Sequence, residues 1–327
     1  MKILITGGAG YVGSACLRHL AAHGHEVLAY DNLVQGHARA VGDHPLIEGD
    51  IADTERLASV LADFGAEAVM HFAAATYVGE SVENPDYYYG NNICGTRSLL
   101  NAMRAAGVGR MLFSSTCATY GMTGSDTMSE TTPQDPFSPY ARTKLAVEWM
   151  IRDFAGAYGL GFTILRYFNA SGADPDGRFG EDHQPESHLI PLVLQAALGQ
   201  RAAITIFGTD YPTPDGTCIR DYVHTDDLAS AHRLAIESTD TKTAEVFNIG
   251  TGQGQSVREI IAACERVVGR PIPQKVGPRR PGDPPRLVAD STKLKTQLGW
   301  EPRYTYIEDT IATAWAWHKA NPRGYGN

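Results

Sequence analysis

Short apolar runs alternate with amphipathic stretches through the first half of the chain. The runs at 3–6, 26–30, 46–48, 68–71, 110–114 and 162–167 have the apolar content of buried strands. Between them, helical spacing of apolar positions predicts helices near 11–22, 53–63, 85–106 and 138–158. Alternation of this kind implies right-handed crossovers and a parallel sheet covered by helices on both faces. Beyond residue 170 the texture changes. Residues 172–185 and 208–216 are rich in Gly, Asp and Pro and read as long functional loops. Shorter elements follow near 188–199, 226–238, 245–249 and 256–268, and a final helix near 306–319. No internal repeat or low-complexity tract interrupts them. The expected class is α/β: a doubly wound parallel sheet over residues 1–169, then a smaller C-terminal α/β substrate-binding lobe over 170–327, some of whose chain returns to the first domain.

The first strand runs directly into Gly7-Gly8-Ala9-Gly10-Tyr11-Val12-Gly13, which opens the first helix. Glycines at 7, 10 and 13 permit a tight turn, close backbone approach to a pyrophosphate and close helix–strand packing, and the helix N-terminus offers free N–H groups to the anion. Asp31 ends the next strand, where a carboxylate hydrogen-bonds an adenosine ribose and repels a 2′-phosphate. Strand, loop, helix and acid in register indicate a Rossmann dinucleotide site that favours NAD over NADP; a strand-end turn at Asp31-Asn32 is the weaker reading. A second glycine cluster, Gly250-Thr251-Gly252-Gln253-Gly254, reads as a turn with Ser256 capping the helix behind it.

Two further groups of residues converge on the C-terminal edge of such a sheet, where this architecture binds ligands. Phe113-Ser114-Ser115-Thr116-Cys117-Ala118-Thr119-Tyr120-Gly121 follows a predicted strand and carries a run of hydroxyls. Tyr140 and Lys144 lie four residues apart at the start of a predicted helix and so share a face. A phenol of pKa ~10 is a poor base at neutral pH. A neighbouring ammonium and a cationic nicotinamide favour its phenolate and bring it into acid–base range.

Charge and composition narrow the partners. The chain has 327 residues, 28 Lys+Arg against 37 Asp+Glu and a net charge of −9, which argues against nucleic acid or an acidic membrane surface. Cys16, Cys94, Cys117, Cys218 and Cys264 form no Cys-x-x-Cys pair, and a dispersed odd set does not read as a disulfide framework. No basic leader, cleavage site or apolar span stands in the sequence, so a cytoplasmic location is expected. With no His-Glu-x-x-His and no carboxylate–histidine cluster visible in the sequence, no metal is expected.

The glycine loop, Asp31, the Ser-Ser-Thr run and the Tyr140/Lys144 pair resemble the extended short-chain dehydrogenase/reductase superfamily. More narrowly, the chain resembles the UDP-glucose (UDP-galactose) 4-epimerase family through His71-Phe72-Ala73-Ala74, Val78-Gly79-Glu80-Ser81-Val82, Asn91-Asn92, Arg166-Tyr167-Phe168-Asn169, Gly208-Thr209-Asp210-Tyr211, Asp215-Gly216-Thr217, Arg220-Asp221-Tyr222 and Arg280-Pro281-Gly282-Asp283. The resemblance implies that Tyr140 takes the proton of the sugar 4-hydroxyl while C4 gives its hydride to NAD, that Lys144 tunes the tyrosine, and that Thr116 relays the proton. It implies cofactor contacts at Tyr11, Val12, Asn32, Asp50, Ile51, Phe72, Ala73, Ala74, Asn91, Ser114, Tyr167 and Phe168, beside Gly7, Gly10, Gly13 and Asp31. It also implies UDP-sugar contacts at Asn169, His188, Leu189, Phe207, Arg220, Arg280, Asp283 and Leu287. In this picture the arginines grip the diphosphate while the hexose stays free to turn. A homodimer through the helices near 85–106 and 138–158 is the expected assembly.

Three positions depart from the family pattern. Thr76 replaces a lysine near the cofactor, His188 replaces an asparagine, and Leu287, intermediate in size, stands where bulk gates N-acetylated sugars. The bland readings of Arg220-Asp221 and Arg279-Arg280 are a surface ion pair and a solvated charge pair. A UDP-pentose (UDP-xylose/UDP-arabinose) or UDP-N-acetylhexosamine 4-epimerase is the alternative within the superfamily. From another class, a non-catalytic NAD-binding regulator is disfavoured by the intact Thr116, Tyr140 and Lys144.

Overall fold

The computed structural model describes residues 1–122, 127–280 and 283–326; Pro281 and Gly282 of the quoted motif lie outside them. Six strands of the first half are β1 (Lys2–Thr6), β2 (Glu26–Asp31), β3 (Leu46–Glu48), β4 (Ala68–His71), β5 (Arg110–Thr116) and β6 (Gly161–Tyr167). The second half adds β7 (Asn169–Ser171), β8 (Ile204–Phe207), β9 (Ile219–His224), β10 (Ala244–Ile249), β11 (Gly254–Ser256), β12 (Gln274–Gly277) and β13 (Arg286–Leu287). The helices of the first half are α1 (Tyr11–Ala22), α2 (Ala38–Val41), α3 (Thr54–Phe64), α4 (Val78–Glu83), α5 (Pro85–Tyr88), α6 (Gly95–Ala105) and α7 (Pro139–Tyr158). Those of the second are α8 (Leu189–Ala197), α9 (Thr225–Ser238), α10 (Val257–Val268), α11 (Thr292–Leu298) and α12 (Ile307–Ala320).

One seven-stranded sheet has the order β10-β6-β5-β4-β1-β2-β3, and its paired strands are all parallel. Side chains alternate between its faces. Ile3 and Ile5 of β1 pack with Leu17 and Leu20 of α1 and Leu228 of α9, whereas Leu4 packs with Leu57, Leu99 and Ile151 of α3, α6 and α7. The order reverses at β1 and β4, so the crevice above their C-terminal ends is the binding position of this topology. The chain does return from the second half: β10 closes the sheet edge beside β6.

The remaining strands form two small sheets. β9 is flanked by β11 and β13 and also pairs with β7, while β8 pairs with β12. Helices α8, α10 and α12 bury Val193, Ile260, Cys264 and Ile311 together. The helix expected near 85–106 runs continuously from Pro85 to Ala105, with a π-helical turn over Tyr89–Cys94 between its α-helical parts α5 and α6. At the exit of that turn Gly95 packs on Ile51: a Cβ there would meet Ile51 Cδ1 at 2.7 Å, so a larger residue would have to push the Ile51 side chain aside.

Candidate active site

The dinucleotide end of the crevice is built by backbone. Gly7 has φ +71, and a Cβ there would meet the Ala73 nitrogen at 2.5 Å; one on Gly13 would meet the Gly7 carbonyl oxygen at 2.1 Å. The N-cap of α1 is Gly10, which supplies no side-chain cap, and the first turn holds no acidic residue. Its leading N–H groups and positive dipole end are therefore left for an anion. Asp31 is buried at the end of β2, with Oδ2 accepting from Ala9 N at 3.0 Å and Oδ1 from Leu33 N at 2.9 Å. That turn holds Leu33 at φ 57, a left-handed conformation for a non-glycine residue. Asn32 donates to Asp50 Oδ2 at 3.1 Å, and Asp50 Oδ1 accepts from Ala52 N at 2.8 Å, which places Asp50 and the buried Ile51 beside the same edge. Tyr11 is fixed by a 2.6 Å hydrogen bond to the Gly172 carbonyl. Phe72 packs against the His232 ring at 5.1 Å. Phe72 N and Ala73 N both donate to Thr6 O, so the chain through Ala73 and Ala74 leaves β4 close to the glycine loop.

The hydroxyl run occupies the C-terminal end of β5. Thr116 faces Tyr167 in the β5–β6 register, and Ser114 Oγ lies 2.9 Å from the Tyr167 hydroxyl. Tyr140 enters on α7, whose N-cap Ser138 accepts from Ala141 N and whose first turn carries Pro139. Burial raises the Tyr140 phenol above its ordinary pKa and nearby Tyr167 adds to the rise, while a hydrogen bond with Thr116 pulls it down. Lys144 is buried at 4% exposure and donates to the Ser114 carbonyl at 2.9 Å. Burial lowers its pKa to about 7, against the opposing pull of Glu148. The sequence reading expects a phenol shifted down by its lysine. In the protein alone burial dominates both groups.

The structure therefore brings Tyr140, Thr116, Ser114, Lys144 and Tyr167 together at this end of the sheet. Asn91 is half-buried and donates to Asn92 Oδ1 at 3.0 Å. Asn92 is the residue that sequence reasoning passed over. From the π turn it binds Ala75 N and O and Thr143 Oγ1 at 2.8, 3.0 and 2.9 Å, tying the loop after β4 to the helix that bears Tyr140. Glu148 was missed too. It takes Ser115 Oγ at 2.6 Å, Arg166 Nε at 2.9 Å and Arg166 Nη2 at 2.5 Å, all buried. Its place one turn after Lys144 on the same face was the available signal.

On the substrate side, Leu287 and Phe168 share an apolar cluster with Cys117 and Tyr120, next to Thr116. Leu287 sits opposite Arg220 in the β13–β9 register. Arg220 pairs with Asp283. The surface ion pair within Arg220-Asp221 does not form: Asp221 is fully buried and accepts from Thr251 N, Gly252 N and Ala289 N. The second glycine cluster is thus a turn around a buried carboxylate, and Ser256 caps α10 in a capping box with Glu259. Asn169 donates to Asp221 O at 2.9 Å. Arg280 is exposed, with its guanidinium 4.1 Å from the Phe207 ring centre, and Arg279 pairs with Asp210. Leu189 opens α8. Thr76 is exposed. His188 is engaged on one side, its Nδ1 lying 2.5 Å from Glu181 Oε1. The fold thereby draws together Glu181, His183, Glu186 and His188, a carboxylate–histidine cluster that lies within eight consecutive residues and that the sequence reading overlooked.

The chain matches the model of the NAD dependent epimerase/dehydratase family over residues 3–250. It is 51% identical to a UDP-glucose 4-epimerase of Halalkalibacterium halodurans, over 99% of this chain and 98% of that protein. The structure of UDP-glucose 4-epimerase from Brucella ovis in complex with NAD is similar at a TM-score of 0.93 and 47% identity, covering 96% of this chain and 97% of that one. The UDP-glucose 4-epimerase from Bifidobacterium longum in complex with NAD+ and UDP is similar at a TM-score of 0.95 and 36% identity, covering 99% and 100%.

Proposed function

The chain belongs to the NAD dependent epimerase/dehydratase family, and we propose that Tyr140, Thr116 and Lys144 carry the chemistry by which it interconverts UDP-galactose and UDP-glucose at C4. NAD is the cofactor, and the glycine loop fits it: the tight Gly7–Gly13 turn and the uncapped α1 N-terminus suit a pyrophosphate, and Asp31 suits a ribose without a 2′-phosphate. When bound, NAD supplies a hydride acceptor that later returns the hydride to C4.

The protein's part is to move one proton and to hold a sugar that must turn over. Tyr140 takes the proton of the 4-hydroxyl directly or through Thr116, leaving a 4-keto sugar, and returns it when the opposite face of C4 is reduced. A raised phenol pKa in the empty crevice keeps Tyr140 protonated until cationic groups close on it; Lys144, held by Ser114, is the chain's own contribution. Arg220 and Arg280 hold the diphosphate through paired N–H groups, and Asp283, Phe207, Asn169, Leu189 and His188 line the uridine and diphosphate path. Tight remote contacts keep the keto sugar from escaping while the ring rotates. Leu287, packed against Phe168 and Cys117, sets the room available beside the sugar.

The assembly follows the same reading. Residues 1–169 form the cofactor domain and 170–327 mainly the substrate lobe, with α9 and β10 returning to the first. The active species is a homodimer through α5–α6 and α7, working in the cytoplasm. Among the described residues no helix is long and apolar enough to cross a membrane.

The observation that carries the assignment is Tyr140 against Thr116, with Lys144 one helical turn on. The Tyr140→Phe variant should lose about 10²- to 10⁴-fold in kcat, the usual range for a lost general acid–base. It is measured as conversion of UDP-galactose to UDP-glucose on the purified protein. Turnover near that of the parent removes Tyr140 from the mechanism. Running UDP-N-acetylglucosamine and UDP-xylose beside it tests how far Leu287 restricts the sugar.

A further inference from the structure

Of the cluster beside the cofactor crevice, only His188 enters the reading above, as a residue lining the diphosphate path; Glu181, His183 and Glu186 have no part in it. His183 Nδ1 lies 3.1 Å from Glu181 Oε1 and 3.8 Å from Glu186 Oε2. His188 Nδ1 lies 2.5 Å from Glu181 Oε1 and 3.4 Å from Glu186 Oε1. One ligand atom from each of the four residues falls within 4.8 Å of the others. Both carboxylate side chains are almost wholly buried, at 3% and 4% exposure, while His188 is 47% exposed and leaves a way in from solvent.

These distances have a coordination meaning. A tetrahedral zinc ion with nitrogen and carboxylate oxygen at about 2.0–2.2 Å separates neighbouring ligand atoms by roughly 3.3–3.6 Å. With one oxygen taken from each carboxylate, the separations of 3.1, 2.5 and 3.4 Å lie at or below that edge, so the side chains would draw apart slightly to admit the ion. Two imidazoles and two carboxylates are a borderline-soft set, suited to zinc rather than to calcium or magnesium, which take all-oxygen shells. Two carboxylates buried side by side need positive charge; His183 and His188 are paired with them here, and a divalent cation bound among the four would take over that role. The ligands are also oriented from behind, since Glu186 Oε1 accepts from Ser187 N at 2.7 Å and His188 N at 2.8 Å.

We propose that Glu181, His183, Glu186 and His188 form a tetrahedral site for a divalent transition metal, zinc by preference. The ion would pin the 172–188 loop and the start of α8 beside the cofactor. The His183 ring stands edge-on to Tyr11 at 6.1 Å and to Tyr77 at 6.2 Å, so the site adjoins the glycine loop.

The test is zinc binding by the full-length protein after chelator treatment, followed by isothermal titration calorimetry with zinc ion alone. One equivalent should bind with a Kd in the micromolar range or tighter. It should weaken at least 100-fold in His183→Ala and in the near-isosteric Glu186→Gln, while His23→Ala, at an exposed histidine stacked on His19, keeps it. Cobalt(II) in place of zinc should show the intense visible bands of a tetrahedral site in the parent protein, a readout that needs no variant to fold. Absence of one-equivalent binding, retention of it in both cluster variants, or a six-coordinate cobalt spectrum overturns the proposal. None of these readouts depends on epimerase activity.

Discussion

Lys144 shows how a single residue is poised by opposing forces. Its ammonium is buried with one carbonyl partner, and burial brings its pKa from the usual lysine range to about 7. The sign for stability follows. Between about pH 7 and the ordinary lysine pKa of ~10.4, the unfolded chain holds a proton on this residue that the folded chain has released, so stability contributed by the site rises with pH across that window. Below pH 7 both states are charged and the full cost of burial remains. The stability gap between parent and Lys144→Met should therefore shift in favour of the parent as pH rises from 7 to 10, when both are melted without ligand. A gap that is flat over that window means Lys144 is not buried as a suppressed ammonium. The same variant should lose about 10- to 100-fold or more in turnover, since it removes the cation that favours the Tyr140 phenolate. His71 shows the same effect of burial: fully buried between Thr6 Oγ1 at 2.7 Å and Thr96 Oγ1 at 2.8 Å, with its pKa lowered to about 3, it is a neutral brace between β4 and α6.

At the scale of elements, α7 delivers Tyr140 and Lys144, and its register is set by a buried pair. Glu148 receives the Arg166 guanidinium from β6 in two contacts and Ser115 from β5, and Arg166 reaches the Tyr120 hydroxyl at 3.1 Å. Removing one member of such a pair strands the other charge, at about 3–5 kcal/mol, whereas removing both can be nearly neutral. Arg166→Leu alone should lower the urea midpoint sharply, and Arg166→Leu with Glu148→Leu should recover most of the loss. Additive losses in that cycle would mean the pair is not coupled. This network was not readable from the sequence, although Glu148 stands one turn after Lys144, because its partners come from strands 18 and 33 residues away. The six strands of the first half were readable, since each is a short apolar run, buried in all but the half-exposed β3, whose parallel pairing needs no partner-specific signal. The strands around β9 were not. Ile219–His224 carries Arg220 and Asp221 in its middle, and it is a strand only because Asp283 and the Gly250–Gly252 turn satisfy those charges. The helix expected near 85–106 runs unbroken from Pro85 to Ala105, but periodicity does not reveal the π turn within it that aims Asn92.

For the whole molecule, the net charge of −9 cannot be what attracts an anionic cofactor and an anionic sugar nucleotide. In the proposed reading local devices overcome it: the α1 N-terminus for one diphosphate, Arg220 and Arg280 for the other. That leaves the outer surface free for another task, and its apolar residues are unevenly placed. Trp149 on α7 is 59% exposed, and Tyr89 in the π turn and Tyr87 on α5 are 43% and 39% exposed. Arg142 and Trp149, seven residues apart on α7, form one outward stripe, and α5 packs against that helix, so these rings share a side of the protein. Large aromatic residues flanked by a cation are the usual anchors of a protein interface. The face lies on the back of the helix that carries Tyr140 and Lys144, so pairing two copies there would stiffen the catalytic helix without obstructing the crevice. Trp149→Glu should convert the dimer to a monomer in sedimentation equilibrium at micromolar concentration. Because α7 would then lose its outer support, turnover should fall further than UDP-sugar affinity. A variant that stays dimeric, or a parent protein that is monomeric, would remove this face from the assembly.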